Sequence, residues 1–113
     1  MTSQGTAHAR FTRAIKRGQL LAAEMAAREL GSLSLSDALS LCLLYEREAD
    51  ARFERAFQRW LSRVGTEHAL THEQAELLRA AAGALDSPFR ELALSVLVGT
   101  CRELRLPSPT IAP

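Results

Sequence analysis

The sequence predicts an all-α protein: five or six short helices in a compact antiparallel bundle or a short stack of helical hairpins. Three observations predict it. Apolar residues recur at helical spacing in almost every segment. Helix starters (Ser, Thr, Asp) and stoppers (Gly) fall at the joints between those segments. The most apolar run, "ALSLCLLY", holds no β-branched residue, which argues against a strand. Joints this short make neighbouring helices antiparallel. The layout that follows is a flexible N-terminus at 1–6, a single helical domain at 7–104 and a Pro-rich flexible tail at 105–113.

A first helix is expected from about Ala7 to Arg17. Phe11, Ala14 and Ile15 form its apolar side, and Arg10, Arg13, Lys16 and Arg17 make it the most basic piece. Gly18 bends or ends it. The second covers Gln19 to Leu30, with Leu20, Ala23, Ala27 and Leu30 on one face. Glu24 and Arg28 stand i,i+4 with the acid first, the favourable order. Gly31 sits where a stop glycine belongs. The third opens in "LSLSDAL": Ser34 caps, and Asp37 reaches back in a capping box. A helix as apolar as "ALSLCLLY" on most sides is central to its core.

The segment "EREAD" at 46–50 is a break or a continuation, and Asp50 is an N-cap candidate for a fourth helix ending at Gly65. The fifth starts at Thr71, where "THEQ" is a second capping box, and Ala75, Leu78, Ala82 and Leu85 form its face. The sixth follows "DSP", with Ser87 as cap and Pro88 in the first turn, where a missing N–H costs nothing. Its inward side is expected to be Phe89, Leu92, Ala93, Val96, Leu97 and Leu104. The tail "LPSPTIAP" reads as extended or disordered.

A chain of 113 residues has room for one real core. Apolar residues make up 47% and charged residues 24%, an ordinary globular balance, and the formal charge of +1 provides no general field toward nucleic acid or anionic lipid. The charge is distributed unevenly. Residues 1–33 and the stretch 66–87 are net basic and net acidic respectively, so opposite ends attract within the fold or between copies. Of the 14 basic residues only Lys16 is lysine, the mark of a GC-rich coding sequence. Cys42 and Cys101 lie in apolar helical segments outside any CxxC motif and read as buried small hydrophobes. The first ten residues lack the apolar region of a secretory signal, and no apolar run is long enough to span a bilayer, so a cytoplasmic protein off the membrane is expected.

The stretch "FERAFQRWLSR" (53–63) mixes aromatics with arginines. On a helical wheel they separate. Phe53, Phe57, Trp60 and Val64 fall within about 60° of arc, and Arg52, Arg55, Arg59 and Arg63 within about 80°, the two stripes being centred about 125° apart. Base-stacking platforms need exposed rings beside basic groups. Here the rings share the face that a small domain buries. The arginine stripe is either a solvated face with its stems over the apolar edge or a basic strip for a partner. Arg10, Arg13 and Arg17 extend such a strip if the two helices lie side by side.

Site chemistry is sparse. No glycine-rich phosphate loop occurs, and no nucleophile motif. "HEQAE" begins like a zinc-protease motif but has Glu76 where the second histidine belongs, and a helix start at Thr71 would place His68 and His72 in different elements. No metal, cofactor or catalytic residue is assigned, and no enzyme activity is expected.

The runs "FTRAIKRGQLLAAEMAARELGSLSLSDALSLCLLY" and "RFERAFQRWLSR" together resemble those of small, uncharacterised all-helical proteins of actinobacterial type, over about residues 8–104. The resemblance implies a cytoplasmic accessory or regulatory protein and brings no chemistry with it. The expectation is a protein–protein interaction module, adaptor or regulatory, that binds another protein and in one version self-associates as a homodimer. Its partner-binding residues would be Arg10, Arg13, Arg17, Arg52, Arg55, Arg59 and Arg63. The alternative is a nucleic-acid-binding regulatory protein using a basic face made by residues 10–17 and 52–63.

Overall fold

The computed structural model describes residues 6–113, and among them it contains six α-helices and no strand. They are α1 (Ala7–Lys16), α2 (Leu20–Leu30), α3 (Leu35–Arg47), α4 (Phe53–Glu67), α5 (His72–Gly83) and α6 (Arg90–Glu103). The all-helical class read from the sequence is the class observed. Contacts divide the stretch 7–104, expected as one domain, into two compact units. The first runs to Phe53 and takes in Pro109–Pro113; the second is Glu54–Ser108. Of the N-terminal stretch expected to be flexible, residues 1–5 lie outside the described residues. Thr6 caps α1, its Oγ1 accepting from the Ala9 N–H at 3.1 Å.

In the first unit α1 and α2 form a closely packed hairpin, and α3 packs against both. The hairpin turn is a Schellman motif. The Gly18 N–H donates to the Ile15 carbonyl at 3.0 Å and the Gln19 N–H to that of Ala14 at 2.9 Å. Gly18 has φ +66°, and Arg47 Nη1 lies 2.9 Å from where a Cβ would sit, so a side chain here is both strained and crowded. Phe11, Ala14 and Ile15 of α1 meet Ala23 and Ala26 of α2 and Leu44 of α3 in one buried cluster. The small alanines let the two backbones come close. Ser34 caps α3, accepting from the Asp37 N–H at 3.1 Å. The Asp37 carboxylate, expected to complete a capping box, meets His8 Nε2 at 3.0 Å instead.

The tail departs from the loose segment expected. Its backbone is irregular, but Pro109 is buried and Ala112 packs on the first unit's core cluster. The Thr110 N–H donates to the buried Ser40 Oγ at 2.7 Å, and Arg47 Nε donates to the Pro113 carbonyl at 2.9 Å. A buried hydroxyl needs a partner, and the tail backbone supplies one.

In the second unit α5 packs on α6. α4 runs through Gly65 to Glu67 rather than stopping at the glycine. An interior glycine costs only about 1 kcal/mol, and the His68 N–H still closes the last turn on the Val64 carbonyl at 2.8 Å. Asp50 stands ahead of α4, its Oδ1 accepting from the Arg52 N–H at 2.8 Å. The Thr71 capping box is complete: its Oγ1 accepts from the Gln74 N–H at 3.1 Å, and Gln74 Oε1 accepts from the Thr71 N–H at 2.9 Å.

The sixth helix starts later than the Pro88 signal suggests. Ser87 Oγ donates to the Ala84 carbonyl at 2.6 Å and accepts from the Phe89 N–H at 3.1 Å, holding residues 87–89 in a turn before Arg90. Its inward stripe is therefore Ala93, Leu97 and Cys101. Phe89 and Leu92, expected inside, are 65% and 64% exposed. The segment has more apolar residues than one buried face needs, so periodicity alone did not choose among them. Cys42 and Cys101 are buried free thiols, and burial pushes the Cys101 pKa up. Among the described residues no helix is long and apolar enough to cross a membrane.

Candidate functional site

The arginines of α1 recur at i, i+3 and i+7, so Arg10, Arg13 and Arg17 lie along one side of the helix. That side borders a groove between α1 and α2 of about 320 Å³. Ala14, Ala22 and Ala26 contribute to its lining, and Met25 and Glu29 line it from α2, with Gln19 at the turn end. The groove exists because small residues bring the two helices together while long arginines rise beside the seam. Arg10 pairs with Glu29 across it, and its side chain keeps 35% exposure. Arg13 and Arg17 are exposed. Arg17 has no ion pair among the described residues. Met25 is 58% exposed on the groove wall, and Leu21, one turn earlier on α2, is 68% exposed. The three arginines against the single acid Glu29 leave the groove net positive, with an apolar side.

The second expected arginine group is dispersed in role. Arg52 precedes α4 and is engaged within the first unit. Its guanidinium pairs with Glu24. It also donates from Nη2 to Asp50 Oδ2 at 2.9 Å and from Nε to Asp50 Oδ1 at 3.0 Å. Its Cζ lies 4.8 Å from the centroid of the Tyr45 ring, a cation–π contact. The Tyr45 hydroxyl donates to Glu24 Oε2 at 2.8 Å. Glu24 therefore serves Arg52 and Tyr45 rather than the expected helical pair with Arg28. Arg63 pairs with Glu67 at 3.1 Å. Arg55 and Arg59 are exposed, without an ion pair among the described residues.

This clamp has clear electrostatics. Hydrogen bonds from the Arg52 side chain and backbone lower the Asp50 pKa from the ordinary 3.8 to about 2. Desolvation, then the hydrogen bond to Glu24 and its charge, raise the Tyr45 pKa from 10.0 to about 12. Asp50 chiefly, with Glu24, holds the Arg52 pKa higher still than usual. These are the shifts of a structural ion cluster, in which every member is paired.

On α4 the aromatic stripe behaves as the wheel implied. Phe57, Trp60 and Val64 are buried, Phe53 at the helix start is half-buried, and the Phe57 and Trp60 rings lie 5.6 Å apart between centroids. A second cavity, of about 360 Å³, is lined from α4 by Gln58, Leu61, Ser62 and Gly65, and from the α5 side by His72 and Arg79 among others. None of the α4 arginines lines it. His68 follows α4, and His72 opens α5. Among the described residues no group of three or more His, Cys, Asp or Glu is placed to hold a metal ion.

The sequence pointed to the arginines but not to Gln19, Met25 and Glu29, which turn a basic helix side into a groove. The only available signal was the surplus of apolar residues on α2, where Leu21 and Met25 fall off the expected buried face. Comparison with protein-family models, curated proteins and solved structures finds no match.

Proposed function

We propose that the protein is a small protein–protein interaction module without catalysis, and that its α1/α2 groove receives an acidic amphipathic helix of a partner. One observation carries this reading: three arginines in register beside a groove with alanines in its lining and an exposed methionine on its wall. Helix-in-groove recognition combines such an apolar seam with flanking charges that set orientation. An accessory role in the cytoplasm is in keeping with the resemblance to small helical proteins of actinobacterial type.

The nucleic-acid reading is less well supported. It calls on residues 52–63 to continue the basic face, yet Arg52 is held by two carboxylates and Arg63 pairs with Glu67. Fluorescence anisotropy separates the two. The probes are a labelled acidic amphipathic peptide, its Glu-to-Gln counterpart and a mixed-sequence DNA duplex. The acidic peptide is expected to bind best, and Arg13→Glu/Arg17→Glu to weaken it at least about tenfold. Equal binding of the uncharged peptide, or tighter binding of the duplex, would overturn the proposal.

A further inference from the structure

The chain also carries an acidic helix side, on α5. α5 presents Glu73, Glu76 and Ala80 on its exposed side, Glu76 shared with Arg79 at 2.9 Å, with Leu77 on the flank, 52% exposed. Glu73 has no ion pair among the described residues. Residues 66–87 contain Glu67, Glu73, Glu76 and Asp86 against Arg79 alone, and so have a net charge of −3. Residues 1–33 contain Arg10, Arg13, Lys16, Arg17 and Arg28 against Glu24 and Glu29, net +3. The match extends to shape. Ala80 and Gly83 are small, and a Cβ added at Gly83 meets nothing within 4 Å in its own chain, so this helix face lets another backbone approach closely. The groove provides Ala14, Ala22 and Ala26 for such an approach, and the exposed Met25 on its wall is an apolar counterpart for Leu77.

We infer that the groove's partner is a second copy of this chain, whose α5 lies in the groove with Glu73 and Glu76 against Arg13 and Arg17. This rests on the proposed use of the groove and names its occupant. The contact pairs two different patches, so each copy offers both halves of it. Charge pairs at its rim make it weaken with salt.

Sedimentation equilibrium on the full chain and two charge-swapped variants tests it. Wild type is expected to associate with rising concentration and to dissociate in high salt. Arg13→Glu/Arg17→Glu and Glu73→Arg/Glu76→Arg are each expected to stay monomeric alone, at least about tenfold weaker than wild type. Mixed together they are expected to associate again, since the native α5 of the first fits the native groove of the second, and the two reversed surfaces are again of opposite charge. Circular dichroism of each variant confirms that its helices are intact. A wild-type chain that stays monomeric, or a mixture that fails to recover, overturns the inference. The acidic peptide distinguishes the two failures: if it still binds the groove, only the self-partner is wrong, and if it does not, the groove reading falls as well.

Discussion

Two sets of arginines, on α1 and on or just before α4, look alike in sequence and have different surroundings. Both recur at helical spacing beside a buried apolar stripe. On α1 the seam with α2 is lined by the alanines Ala14, Ala22 and Ala26, and Arg10, Arg13 and Arg17 line the groove beside it. On α4 the stripe is built from Phe57 and Trp60, and the cavity wall that α4 contributes is Gln58, Leu61 and Ser62 rather than arginine. Arg52 is drawn out of the row altogether into the Glu24–Tyr45–Asp50 clamp. A basic helix side lines a groove where packing leaves a cleft next to it, and otherwise remains a solvated or structural face.

The largest way to break this contrast is on α4 itself. Trp60→Ala is expected to destabilise the protein by about 3–5 kcal/mol, while Arg59→Ala, one residue away, leaves the unfolding midpoint in urea unchanged. Circular dichroism is the probe, because Trp60 is the only tryptophan. Next, Arg55→Glu/Arg59→Glu is expected to leave acidic-peptide binding intact where Arg13→Glu/Arg17→Glu abolishes most of it. Equal losses would mean that charge alone, not the groove, governs binding.

Arg52→Ala is expected to lower Tm, unlike Arg59→Ala, since it strips Glu24 and Asp50 of their shared cation. The clamp also has a signature in pH. Tyr45 has a folded pKa of about 12, above its ordinary 10.0, so its contribution is complete below about pH 10 and is lost as pH rises toward 12. Absorbance titration of this single tyrosine is expected to show the late midpoint, and Glu24→Gln to bring it down. Asp50 has the opposite sign: its contribution is present above 3.8 and is lost as pH falls through about 2.

The smallest effect is a gain. α3 ends in a Schellman motif with Ala49 at φ 54°, the Asp50 N–H reaching the Tyr45 carbonyl at 2.9 Å. Ala49→Gly removes a left-handed strain of about 1–2 kcal/mol, set against roughly 0.5–1 kcal/mol of added backbone entropy. A Tm rise of a few degrees is expected.

Much of the helix layout was legible. Gly18 and Gly31, the Ser34 cap and the "THEQ" box mark real boundaries because backbone groups at helix ends need local partners, and local partners are written in sequence. Where an end is closed by a residue with no special signal, as at Ala49 or Arg105 (φ 61°), sequence offers no clue. Gly65 misled for the converse reason: a helix whose other residues are well placed tolerates one glycine. The tail misled because its prolines describe a chain without helix, not a chain without partners.

By itself the sequence determined the all-helical class, the α4 aromatic stripe and the basic character of α1, all consequences of periodicity within a single helix. Only the tertiary structure decided that the α1 arginines border a groove, that Arg52 serves a clamp with Glu24, and that Phe89 and Leu92 face outward. Each of these depends on which helix lies next to which, and side chains far apart in sequence meet only after the backbone has packed.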